Sequence, residues 1–227
     1  MLRSQMLDQV SAYILSQKTN HPLRVAIDGI DAAGKTKLAK ELIFPLKKSG
    51  RPIIQISLDN FHNPTQIRYR RGKDSPEGYY YDSFNYEAII ENVMDPISPG
   101  GNRKIKRVLF NLISNSVIDS EYEMVDKNAI ILFDGIFLMR PELVQFWDVS
   151  IFVDITLDTA MYRAYEREKL NGLSYEEIHS LYEKRYFSGQ KIYFERCSPH
   201  QHVNIIVENN DFRNPMMEIK KPIKTST

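Results

Sequence analysis

The segment Gly29-Ile30-Asp31-Ala32-Ala33-Gly34-Lys35-Thr36 fits the spacing G-x-x-x-x-G-K-[ST] at every fixed position. No other stretch restricts the fold so tightly, because such a loop works only between a strand and a helix. Its glycines let backbone N–H groups turn inward on an anion, and the helix after it presents its positive end to the same charge. The flanks comply. Leu23 to Asp28 (LRVAID) is a short apolar run of the kind found in parallel strands covered on both faces. Lys35 to about Lys48 carries Leu38, Leu42, Ile43 and Leu46 at helical spacing, with Pro45 weakening its last turn. Residues Gly29 through Thr36 therefore read as a triphosphate cradle. Lys35 brings a mobile cation for the β- and γ-phosphates, and the Thr36 hydroxyl is a hard oxygen suited to Mg²⁺.

Elsewhere strand-like and helix-like text alternates. Pro52–Leu58 (PIIQISL), Ala129–Asp134 (AIILFD), Val149–Ile155 (VSIFVDI) and Val203–Val207 (VNIIV) are further strand candidates. Leu2, Met6, Val10, Tyr13 and Ile14 mark an opening helix, and helical spacing returns at Tyr86–Asp95 and Thr159–Lys169. The expected fold class is α/β, a mostly parallel sheet with helices on both faces. Two stretches break the pattern. Asp59 to Asp82 is rich in aromatics, arginines, prolines and glycines, and is expected to be a long functional loop. Gly172, Gly189 and Pro199 punctuate a polar, arginine-bearing stretch. Arg103–Leu112 is expected to form a small hairpin or edge strand with the residues after it, and Arg213 onward a tail.

A chain of 227 residues with 42% hydrophobic and 26% charged residues suits one cored domain, 1–227. The net charge of +1 gives no bias toward a nucleic acid or a membrane surface. No apolar stretch approaches the roughly 18 residues a spanning helix needs. Asp8 interrupts the opening residues, which therefore lack a secretory apolar core. Cys197 is the only cysteine, which fits a reducing compartment. A cytoplasmic protein is expected.

Carboxylates and arginines supply the remaining chemistry. Asp134 closes four apolar residues, the layout of a Walker B acid beside the metal. Asp59 closes PIIQISL just before the aromatic stretch and is the best candidate for a base on an acceptor hydroxyl. In a parallel sheet, Asp28, Asp59, Asp134 and Asp154 would share the edge that holds ligand. Asp28 equally suits loop structure, and Asp154 a strand cap. Arg163 and Arg167 lie on one helical face. They read either as a lid that closes over transferring phosphates or as a solvated face paired with Glu166, Glu168, Glu176 and Glu177. Tyr79-Tyr80-Tyr81 is either a stacking surface or loop packing. The histidines do not have the spacing of a zinc centre.

DGIDAAGKT, LDNFHNP (Leu58–Pro64), RYRRGKDSPEGYYYDSF (Arg68–Phe84), DGIFLMRPEL (Asp134–Leu143) and RYFSGQKIY (Arg185–Tyr193) together resemble a bacterial branch of the uridine kinase family. That family stands with phosphoribulokinase and pantothenate kinase among P-loop kinases of small metabolites. The resemblance runs from about Arg24 to Asn210. It implies a P-loop kinase fold with a substrate-side loop at about 59–84 and a mobile lid at about 163–191. It also implies transfer of the γ-phosphate of ATP or GTP, with Mg²⁺, to the 5′-hydroxyl of a ribonucleoside, uridine or cytidine foremost. Lys35 and Asp59 would then be catalytic, Arg163 and Arg167 would belong to the lid, and Thr36, Asp59 and Asp134 would face the metal. Phe61, His62, Tyr79 and Asp82 would lie near the nucleoside. The alternatives are an acceptor of pantothenate or sugar-phosphate type, and a nucleotide-dependent regulatory module. The latter lacks a guanine-reading N-K-x-D segment here, since Asp126-Lys127-Asn128 has the wrong order. A homo-oligomer is compatible with all of these.

Overall fold

A computed structural model describes residues 1–220. Helix α1 (Arg3–Ser16) buries Met6, Val10 and Ile14, one stripe at helical spacing. Strand β1 (Leu23–Gly29) is buried at every position, as a central strand covered on both faces must be. The P-loop joins it to α2 (Lys35–Lys47), which buries Leu38, Leu42 and Leu46 and keeps Pro45 inside its last turn. Then come β2 (Ile53–Ser57), α3 (Pro76–Asp82), β3 (Ile130–Asp134), β4 (Val149–Asp154) and α4 (Leu157–Glu168). Helices α5 (Tyr175–Leu181) and α6 (Ser188–Cys197) precede β5 (Ile205–Glu208) and β6 (Met216–Ile219).

The six strands lie in the order β6-β5-β4-β1-β3-β2. All neighbours are parallel except β6, which is antiparallel to β5. Helices flank this sheet, giving the α/β architecture the alternating text predicts. The register brings Ile27 and Ser57 level with Asp134, Asp28 level with Phe152, and Asp154 level with Glu208. The carboxyl ends of the strands therefore share one edge. From β1 the chain crosses toward β2 on one side, whereas β4 and β5 lie on the other. A crevice opens at such a reversal, and the P-loop sits in it.

Three sequence expectations need correction. Asp59–Asp82 is not a plain loop: it holds a 3₁₀ turn at Leu58–Phe61, a helical turn at Thr65–Arg68, and α3. Ser75 caps α3, accepting from the Gly78 N–H at 3.0 Å, with Pro76 as its first residue. Elements of four to seven residues are too short to display a helical period. Gly189 does not interrupt structure either. Residues 175–197 are continuously helical, with a π turn at Tyr182–Phe187 between α5 and α6. Residues beyond Arg213 are not simply a tail, since Met216–Ile219 pairs as edge strand β6; residues 221–227 of the expected tail lie outside the described region. The expected hairpin is present as two short ladders, Lys104–Ile105 with Glu123–Met124 and Phe110–Asn111 with Ser116–Val117. Among the described residues no helix is long and apolar enough to cross a membrane.

Candidate active site

Two glycines shape the cradle. At Gly29 a Cβ would stand 2.4 Å from the Val153 carbonyl oxygen, so only glycine lets β1 end this close to β4. Gly34 adopts φ +96°, the left-handed conformation that turns the loop into α2. Lys35 Nζ donates to the Ile30 carbonyl at 2.7 Å, folding back over the loop. Burial pulls the Lys35 pKa down, opposed by Asp31, Asp28, Asp59 and Asp134 around it.

Asp134, at the end of β3, is 1% exposed and saturated with donors. The Thr36 hydroxyl donates to it at 2.6 Å and the Gln55 amide at 2.7 Å, while Ser57 Oγ stands 3.5 Å away. Asp59 comes just after β2 in the 3₁₀ turn that Ser57 caps, and it is exposed. His62 Nδ1 lies 2.9 Å from the Asp59 carbonyl, and its ring packs 4.4 Å from that of Phe84. Burial holds the His62 imidazole below its ordinary pKa, favouring the neutral form.

The arginine-bearing elements close the other side. Arg163 donates to the carbonyls of Ala33 at 3.3 Å, Asn209 at 2.7 Å and Asn210 at 3.1 Å. Asn209 also donates to the Ala33 carbonyl at 2.8 Å. Both side chains thus brace the P-loop. Arg167 and the Tyr182 hydroxyl meet the Asp31 carboxylate at 3.3 and 2.6 Å, and Arg167 donates to Tyr182 at 2.7 Å. Burial alone would raise the Asp31 pKa; Arg167 and Lys35 outweigh it and hold the group ionised.

A cavity of about 550 Å³ lies over this arrangement. It gathers Asp31, Ala32, Gly34, Lys35, Thr36, Asp59, His62, Tyr79, Asp134, Arg163 and Arg167 from the residues singled out in the sequence. Gly29, Ile30 and Ala33 do not line it. Two others stand apart. Phe61 is 1% exposed and packs on Phe133 in the core. Asp82 is buried with its carboxylate claimed by Arg70 and Arg71. Sequence reasoning missed Ser57, Phe84, Tyr182 and Tyr186, which also line the cavity. The only signal for the tyrosines was that Tyr186 lies within RYFSGQKIY and Tyr182 four residues before it. Of the tyrosine run, Tyr80 packs inward at 3% exposure and Tyr79 both packs and lines the cavity.

Residues 25–211 match the model of the Phosphoribulokinase / Uridine kinase family. This chain belongs to that family. A uridine kinase from Ligilactobacillus salivarius is 22% identical to this kinase over 160 residues, 68% of this chain and 70% of the relative. A pantothenate kinase from Brucella ovis is 26% identical over 166 residues, 67% of this chain and 48% of the relative, so the match spans about half of that enzyme. A solved structure described as a possible uridine kinase from Bacillus stearothermophilus superposes with a TM-score of 0.71 at 20% identity, covering 89% of this chain and 97% of the other. The chain is thus a P-loop phosphotransferase with an alcohol acceptor, and its family uses ATP and Mg²⁺.

Proposed function

We propose that this kinase transfers the γ-phosphate of ATP or GTP to the 5′-hydroxyl of a ribonucleoside, uridine or cytidine foremost. The observation that carries this is the position of Asp59. An exposed carboxylate lines the same cavity as Lys35 and Thr36 and as His62, Tyr79 and Phe84. The basic P-loop lining suits phosphates, and the aromatic lining suits a flat base and its sugar. Asp59 orients the acceptor hydroxyl and takes its proton as the new P–O bond forms.

The donor set fits magnesium: Thr36, Asp59 and Asp134 are hard oxygens, and a magnesium held by one or two carboxylates completes its shell with water and phosphate. When bound, the ion neutralises charge on the β- and γ-phosphates. Lys35 adds its charge from the P-loop. Arg167, held by Asp31 and Tyr182 in the lining of the same cavity, would supply a second cation to the transferred group. Residues 163–191 act as the lid of a single 1–227 domain, and 59–84 as its acceptor wall. Asp82 serves that wall from beneath, by fixing Arg70 and Arg71.

The test is an acceptor panel in a coupled ADP assay with Mg²⁺, run on the wild type and on Asp59→Asn. Uridine- or cytidine-dependent turnover is expected, with kcat in the variant lower by roughly 10²–10⁴-fold and nucleotide affinity retained. Full activity of Asp59→Asn removes Asp59 from its role. Turnover with pantothenate or a sugar phosphate alone favours a second reading, suggested by the Brucella relative, in which the chemistry stands and the acceptor changes.

A further inference from the structure

Arg3, the first residue of α1, lies before residues 25–211 shared with the family and does not line the cavity over the P-loop. Its guanidinium nevertheless joins α2 to the stretch after β5. Nε and Nη2 donate to the Glu41 carboxylate on α2 at 2.8 and 2.6 Å. Nη1 donates to Asn209 Oδ1 at 2.9 Å and to the Phe212 carbonyl at 3.3 Å, and the guanidinium carbon lies 3.8 Å from the Phe212 ring centroid. A guanidinium only donates and a backbone carbonyl only accepts, so an amide placed between the two has one workable orientation. Arg3 holds Oδ1 of the buried Asn209, and Nδ2 is thereby turned onto the Ala33 carbonyl at 2.8 Å.

The Ala33 carbonyl belongs to the peptide that carries the Gly34 N–H, and in a trans peptide these two groups point opposite ways. Glycine accepts φ of either sign, so sterics at Gly34 leave the flipped peptide open. Donors outside the loop make the choice. We propose that Arg3 is a positioning residue for nucleotide binding: through the Asn209 amide it fixes the Ala33–Gly34 peptide with the Gly34 N–H presented to phosphate. Turned over, the same peptide would offer the phosphates a carbonyl oxygen in place of a donor. Arg163 is the weaker of the two holds on this carbonyl, at 3.3 Å, and it divides its donors with the carbonyls of Asn209 and Asn210. The amide lies tight against the loop, since a Cβ at Gly34 would stand 3.0 Å from Asn209 Nδ2. The inference rests on the proposed use of a nucleoside triphosphate and is independent of the acceptor.

Affinity for ATP with Mg²⁺ is measured by calorimetry on the full chain, without acceptor, in the wild type, Arg3→Met, Asn209→Ala and the double variant. Asn209→Ala is expected to weaken binding roughly ten- to thirtyfold, and Arg3→Met roughly three- to tenfold, because an amide left unheld still donates part of the time. In the double variant the Arg3 substitution should add less than about twofold, since it has no amide left to orient. Val10→Ala, which removes buried volume from α1 away from the guanidinium, should lower the thermal midpoint and leave affinity within about twofold. The Gly34 amide resonance, followed by NMR, should move on addition of ADP with Mg²⁺ in the wild type and far less in Asn209→Ala. Unchanged affinity in Arg3→Met, losses that multiply in the double variant, or an equal loss in Val10→Ala would each overturn the role of Arg3 alone. A wild type that does not bind ATP with Mg²⁺ would overturn the nucleotide reading together with it.

Discussion

Asp28 ends its strand with a carboxylate that solvent does not reach. It accepts from the Gly29 N–H at 2.7 Å and from the Tyr193 hydroxyl, which in turn accepts from the Met139 N–H at 2.9 Å. This one group ties the start of the P-loop to α6 and to the loop after β3. Burial pushes its pKa up to about 6, against the pull of Tyr193 and Gly29. An unfolded chain releases that proton near pH 4. Between these values the folded state holds a proton that the unfolded state has lost. Stability therefore falls as pH rises through the window and stays level above it. Asp28→Asn keeps an acceptor for Gly29 and cannot ionise. The loss of stability between pH 4.5 and 7.5 is expected to shrink by roughly 1–3 kcal/mol in the variant. Urea unfolding at the two pH values measures it, and equal losses in both proteins would contradict the assignment. The sequence placed Asp28 beside the P-loop and left open whether it served structure or chemistry. The choice depended on Tyr193, a partner 165 positions away that no local pattern reveals. Asp82 was obscured in the same way: its neighbours suggested substrate, and two arginines bent back onto it.

The long helix from α5 through α6 decides how residues 68–79 sit against the rest of the fold. Arg185, 3% exposed, donates to the carbonyls of Lys73, Ser75 and Arg68 at 3.0, 3.1 and 3.3 Å, pinning the helix to the segment before α3. One turn on, Gly189 lies so close that a Cβ would stand 2.7 Å from Tyr79 Cδ1 and 3.0 Å from the Pro76 carbonyl. The missing side chain is what lets α3 and α6 touch. It is also why a glycine that reads as a break in sequence sits within unbroken helix. Gly189→Ala sets two effects against each other. Helix propensity gains about 1 kcal/mol, and overpacking costs about 1–3 kcal/mol. Tyr79 is itself held between Phe137 and Tyr186, with ring centroids at 5.2 and 4.8 Å, so it has little room to retreat. Overpacking is therefore expected to win by about 1 kcal/mol in urea unfolding. Because Tyr79 lines the cavity, KM for the acceptor should rise more than KM for the nucleotide. A variant more stable than the wild type would show that Tyr79 can yield.

At the scale of the molecule, the central sheet was the most legible part of the sequence. A parallel strand covered on both faces must be apolar throughout, so β1, β3 and β4 appear as continuous runs ending near a carboxylate. Edge strand β6 needs apolar contact on little of its surface, and MMEI passed for tail. The division of the apolar interior was not legible at all. One large cluster spans the sheet, α1, α2 and α6, while Ala164, Ile178 and Tyr182 form a second, smaller one between α4 and α5. Those three buried residues, with Ala160 of α4 reaching the large cluster, give this region far less to lose on opening than the sheet has, and local opening tracks such differences. Its fastening to the P-loop is largely polar, through Asp31, Arg167 and Tyr182 and through Arg163 on the Ala33 carbonyl, with Ala32 packed against the small cluster. Amides of residues 157–181 are accordingly expected to exchange hydrogen faster than those of β1, β3 and β4 by an order of magnitude or more, each factor of ten being about 1.4 kcal/mol of opening free energy. Magnesium with a non-hydrolysable ATP analogue should slow exchange there, since phosphates give Arg167 a second anion to hold. Asp31→Asn should speed it without nucleotide, because an amide holds Arg167 less tightly than a carboxylate does. Equal protection of 157–181 and the central strands would mean that these helices open only with the whole domain, and the region would then be no lid.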